Sequence, residues 1–147
     1  MNLPVLQAIL VADQAYQDTN TGKFIICGIF SKVFLIPGVP STADEKVQQS
    51  VAATYQRAGS PFAYLSLTEV HGTRPLELRF VDLADNSLVI KIDFQLTSAN
   101  PLDNLEIAIP LPELQMVHDG AFALELYSND SWLESHRILA TFTEMKQ

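Results

Sequence analysis

Apolar and polar residues alternate with a period of two along most of the chain, the spacing that points every second side chain to one face of a strand. Leu88, Ile90, Ile92, Phe94 and Leu96 share one face, with Lys91, Asp93, Gln95 and Thr97 on the other. Leu76, Leu78 and Phe80 oppose Glu77 and Arg79; Leu105, Ile107, Ile109 and Leu111 make a third row; Phe122, Leu124 and Leu126 oppose Glu125 in a fourth. A register slip in the first row would bury charge, so its inward face is well specified. Asp85-Asn86-Ser87 reads as a hairpin turn between the first two strands. Ser128-Asn129-Asp130-Ser131 reads as another, leading into a last strand with Ile138, Ala140 and Phe142.

Val5–Asp13 and Lys23–Phe30 flank the turn-rich Asp18-Thr19-Asn20-Thr21-Gly22 and predict a third hairpin. Its strands are apolar on both faces, which places them in the middle of a sheet or under a second layer. Ala63, Leu65 and Leu67 alternate with Tyr64, Ser66 and Thr68, so Phe62–Val70 is a further strand. Pro110 and Pro112 cannot donate to a ladder, so their strand lies at a sheet edge or ends there. Thr42-Ala43-Asp44-Glu45 is a capping box, and Val47, Val51 and Tyr55 follow at four-residue spacing before Gly59, which predicts a short helix over 43–57. The same segment also fits a strand carrying Val47, Gln49, Val51, Ala53 and Tyr55. The whole pattern predicts a single all-β domain over 1–147, an antiparallel β-sandwich of about eight strands, immunoglobulin-like or C2-like, with that helix inserted.

The 147 residues suffice for a self-supporting core, and 48% hydrophobic against 18% charged residues is the composition of a globular protein. The formal charge of -8 repels phosphate backbones and anionic lipid, so neither nucleic acid nor a membrane surface is an expected partner. No apolar run approaches the roughly 18 residues of a membrane helix. The stretch Val5–Ala12 has no preceding Lys or Arg and is interrupted by Gln7, unlike a secretion signal. Cys27 is the only cysteine and lies in the apolar run Phe24–Phe30, which predicts a buried, inert thiol and a reducing, cytoplasmic setting.

Few residues advertise chemistry. Gly59-Ser60-Pro61 lacks the second glycine of a nucleophile elbow. His71, His118 and His136 are far apart and have no metal-ligand spacing, so a zinc site would need assembly by the fold. Asp82 and Asp85, with Asn86, are the best local calcium candidates, although a turn uses them equally well. Gly22-Lys23 lacks the rest of a phosphate loop, and no cofactor is expected. Trp132 reads as an aromatic closing the end of the sandwich, with a ligand-stacking platform as the alternative.

Ala12-Asp13, then Gly22-Lys23-Phe24-Ile25-Ile26-Cys27-Gly28-Ile29-Phe30, then Val39-Pro40 resemble the opening of DUF6941, a bacterial family of small β-rich proteins of unknown function. Tyr64-x-x-Leu67-Thr68, Leu78-Arg79-Phe80-Val81-Asp82, Leu111-Pro112 and Gly120-Ala121-Phe122-Ala123-Leu124-Glu125-Leu126 continue the resemblance. Residues 41–58 read as an insertion, and at Phe122 an aromatic is shifted or replaced relative to the family's glycine-x-tyrosine. The resemblance implies a bacterial β-sandwich and supplies no catalytic residue. The leading expectation is therefore a non-enzymatic binding or assembly module acting through protein–protein contacts at a strand edge or end loops. Phe24–Ala43 carries one charge, Lys32, so Phe34, Leu35 and Ile36 are the candidate interface, for a homodimer if exposed. An enzyme with carboxylates and His71 or His118 gathered in a pocket, and a calcium-dependent binding domain, are the alternatives.

Overall fold

The computed structural model describes residues 3–35 and 60–142. Every regular element within them is a strand: β1 (Val5–Gln17), β2 (Phe24–Ile29), β3 (Lys32–Leu35), β4 (Phe62–Thr68), β5 (Gly72–Asp82), β6 (Ser87–Ser98), β7 (Leu105–Pro110), β8 (Gly120–Ser128) and β9 (Ser131–Phe142). The helix anticipated over 43–57 lies outside the described residues.

Four strands form one sheet in the order β2-β1-β4-β7, and five form the other in the order β3-β9-β8-β5-β6. All pairings are antiparallel except β3 with β9. The period-two rows build the common core. Ile9, Val11, Leu65 and Leu67 of the first sheet bury against Leu78, Phe80, Phe122, Leu124 and Leu126 of the second.

The three hairpins form where the turn residues sit. Asn129 and Asp130 take φ of 48° and 66°, the left-handed pair of a two-residue mirror-image turn, which Asn and Asp tolerate better than bulkier residues. Asn86 at φ 59° closes the β5–β6 turn. The prolines behave as their chemistry requires. Pro110 ends β7, which is at the sheet edge among the described strands. Pro75 pairs with Gln95 of β6 in a part of β5 that lies before the stretch Glu77–Asp82 held by β8.

Several expectations need correction. The described residues hold nine strands against the eight segments that the alternation marked; the added one is β3, four residues held by a distant partner, β9, that no local pattern reveals. Among the described residues β2 stands at a sheet edge rather than in the interior. Ile25, Cys27 and Ile29 share a face with their register partners Tyr16, Gln14 and Ala12, and all three are exposed. The Cys27 thiol is therefore at the surface rather than buried.

Leu88 also leaves its expected place. A bulge between Phe80 and Val81 pairs Phe80 with Ile90 but Val81 with Leu88, so Leu88 rotates out of the inward row to stand beside outward-facing Val81. It is 52% exposed, whereas Ile90, Ile92, Phe94 and Leu96 keep contact with the core.

The β1–β2 hairpin is a bent arm. Phe24 pairs with Gln17 and Tyr64 with Leu10, positions separated by roughly 23 Å along a straight strand. Their rings nevertheless meet with centroids 5.7 Å apart. β1 must curve to bring the arm back over the outer face of β4, the face opposite buried Leu65.

Candidate functional site

Outward-facing side chains of β5, β6 and β8 converge on the five-stranded sheet. Register sets Arg79 between Lys91 and Glu125, and Glu77 between Asp93 and Tyr127. Arg79 donates through Nε to Glu77 and through Nη2 to Asp130 Oδ1 at 3.2 Å, while its guanidinium carbon sits 3.8 Å from the centre of the Tyr127 ring. The Tyr127 hydroxyl donates to Glu125 Oε1 at 2.8 Å, and Lys91 Nζ lies 3.5 Å from Glu77 Oε1. Val81, Asn86 and Leu88 complete the walls of a depression of about 400 Å³. Trp132, the register partner of Tyr127, is 51% exposed next to it rather than closing the end of the sheets.

The electrostatics follow from these contacts. The Arg79 hydrogen bond holds the Glu77 carboxyl below the usual range, and the same bond raises the guanidinium. Partial burial, then the bond to Glu125, raises the Tyr127 hydroxyl. The cations are neutralised and the Arg79 side chain is fixed from three sides. That arrangement suits contact with a surface better than capture of a free anion.

A second cluster lies where β5 ends. His118 Nε2 donates to Asp82 Oδ2 at 2.5 Å and Nδ1 donates to the Asp119 carbonyl at 2.6 Å. The Asp119 carbonyl, then the Asp82 carboxylate, raises the His118 pKa. An Asp–His pair can orient a general base only if the other ring nitrogen faces a substrate or nucleophile, and here it faces a carbonyl.

Of the sequence-derived candidates, Asp82 and His118 meet, whereas His71, His136 and the Phe34 region lie apart from them. Asp82 Oδ1 also accepts from the Ala84 amide, and Asp85 Oδ1 accepts from the Ser87 amide, both as turn-stabilising groups. No group of three or more His, Cys, Asp or Glu able to hold a metal occurs among the described residues. Phe34 is 60% exposed on β3, with the Lys32 ammonium 5.9 Å from its ring centre. Leu35 follows in the same strand, and Ile36 lies outside the described residues. His71 pairs loosely with Glu69 at 3.6 Å, and His136 Nε2 donates to the Phe30 carbonyl at 2.7 Å. The Arg79–Tyr127 platform escaped sequence reasoning. Its residues were visible as polar positions of alternating strands, but only the β5–β8 register brings them together.

The described residues define two packed, mostly antiparallel sheets with a polar and aromatic outer surface. The family described as "Family of unknown function (DUF6941)" matches residues 7–141, and the chain belongs to it. No curated protein matches the sequence. Among the described residues no helix is long and apolar enough to cross a membrane.

Proposed function

We propose that the protein is a non-enzymatic binding module, of the immunoglobulin-like or C2-like sandwich type, that docks a protein partner on the outer face of its five-stranded sheet. The observation that carries this reading is Arg79 held over Tyr127 and pinned by Glu77 and Asp130, beside exposed Trp132 and Leu88. Arg, Tyr and Trp dominate the energetics of protein interfaces. Side chains already fixed lose little entropy on binding. The charge of -8 steers basic partners toward the molecule. A surface thiol at Cys27 without a disulfide favours a reducing, cytoplasmic compartment.

A photo-crosslinking residue placed at Leu88 tests the proposal in cells, with Ile25 on the other sheet as control. The expected result is a discrete adduct with a second protein from the Leu88 position, lost when Tyr127→Ala is added. Adducts equally strong from Ile25, or unaffected by Tyr127→Ala, refute docking at this face. Adducts only with a second copy replace the foreign partner by a homodimer, for which the exposed Phe34 region is the alternative surface.

A further inference from the structure

We propose that the segment from Leu111 to Asp119 is a proton-operated strap, held over the core by a doubly hydrogen-bonded His118 imidazolium and released when that ring becomes neutral. The segment joins β7 to β8 with no regular element beyond an isolated bridge at Gln115, yet it seats Leu111, Leu114 and Met116 in the core. One end is tied by the Leu111 amide to the Pro61 carbonyl at 2.8 Å. The other end is tied by His118, whose ring lies 5.2 Å from Phe122, itself stacked 5.7 Å from Phe80.

The chemistry of the two acceptors makes the tie proton-dependent. A backbone carbonyl and a carboxylate can only accept, so satisfying both requires two ring N–H groups, and only the imidazolium has two. The neutral ring keeps one N–H and turns a lone pair toward either Asp119 O or Asp82 Oδ2. The Asp82 side chain is 9% exposed, so little water reaches it to replace a lost partner. Three groups face the ring: the Asp82 carboxylate from β5, the Asp119 carbonyl from the strap, and the Asp85 carboxylate acting through space from the β5–β6 turn. All three favour the charged form. A histidine raised in the folded state gives its full stabilisation below the unfolded value near 6.5 and loses it as pH climbs through the folded value. Opening therefore belongs to the neutral-to-alkaline side.

Hydrogen exchange of the intact chain read by mass spectrometry between pH 6 and 9, corrected for intrinsic rates, tests the strap. Protection of 112–118 is expected to fall by up to about tenfold per unit by which folding raises the His118 pKa, while protection of β8 stays constant. Asp82→Asn supplies the decisive contrast. Its amide can donate to a neutral Nε2 while Nδ1–H still donates to Asp119 O, so the strap should stay closed across the same range. Strap protection that does not change with pH in the native chain overturns the proposal. So does an Asp82→Asn strap that opens with the native pH profile. If Asp82→Asn fails to fold, the imidazole nitrogen shifts of the native chain decide: both nitrogens protonated in the protected state support the proposal, and a neutral tautomer in that state refutes it.

Discussion

Gly28 on β2 and Asp13 on β1 crowd one another: a Cβ on Gly28 would lie 2.9 Å from Asp13 Cγ and 3.1 Å from Asp13 Cβ, and Gly28 already holds a φ of +71°. Only glycine meets both demands without strain. The contact sits in the bent arm, where the β1–β2 pair leaves the sheet. Gly28→Ala is expected to lower stability by about 2–3 kcal/mol, seen as a lower urea midpoint at unchanged m. Gly22 is the control, because at φ +73° it has no atom within 4 Å of a Cβ. Gly22→Ala should show the conformational cost alone, about 1 kcal/mol. Equal losses at the two sites would remove Asp13 from the explanation.

The β8–β9 turn gives a second test. Asp130 holds φ 66° and also contacts Arg79. Asp130→Ala and Asp130→Gly both delete that contact, so their difference isolates the backbone. The glycine variant should be the more stable by about 1 kcal/mol in thermal or urea unfolding. An alanine variant as stable as the glycine one would show that the turn relaxes to another form at little cost.

Tyr64 controls the alkaline limit. Burial, reinforced by its bond to Glu106, pushes its hydroxyl up to about 12. A group raised above its unfolded value near 10 stabilises fully below that value, and the contribution is lost as pH rises from about 10 to 12. Absorbance titration at the tyrosinate band should show Tyr64 ionising late, with Tyr127 also raised. Tyr64→Phe should remove the late step and flatten the loss of stability over that interval. A late step that survives Tyr64→Phe assigns it elsewhere.

The strand pattern was legible because alternation is a local property: the Leu76–Phe80 and Phe122–Leu126 rows bury as their spacing requires. What stayed hidden depends on partners. Nothing in Lys32–Leu35 announces a parallel pairing with β9, and the apolar run Phe24–Ile29 does not say that β2 is outermost among the described strands of its sheet. Asp82 and His118 were each visible as polar residues next to turns, but their meeting across 36 residues is a product of the β5–β8 pairing. The Leu88 case is the subtlest, since one bulged residue in its own strand, Val89, reverses a side chain whose alternating sequence context is regular.

That reversal is measurable. Leu78 is 1% exposed and Leu88 52%, although both belong to inward rows by sequence. Leu78→Ala should cost about 2–5 kcal/mol through lost burial and a cavity. Leu88→Ala should stay within about 0.5 kcal/mol of the parent, as surface substitutions do. A Leu88 loss near that of Leu78 would place Leu88 in the core and deny the bulge.

Arg79 separates binding from folding. Its three contacts are partly solvated, so each contributes modestly: about 0.2–1 kcal/mol for an exposed ion pair and a similar amount for the guanidinium over Tyr127. Lysine keeps the charge but has no planar fork to reach Glu77 and Asp130 together while covering a ring. Arg79→Lys should therefore shift Tm by only a few degrees. If the outer face is the docking surface, the same substitution should weaken partner binding about tenfold or more, because fixed Arg and Tyr anchors carry a disproportionate share of interface energy. Tyr127→Phe keeps the ring under the guanidinium and loses only the bond to Glu125, so its effect on binding should be smaller. Titration of the cross-linked partner against the three proteins reads the order directly. Unchanged affinity for Arg79→Lys would leave the Arg79 network as a stabiliser of the sheet and move the docking surface elsewhere.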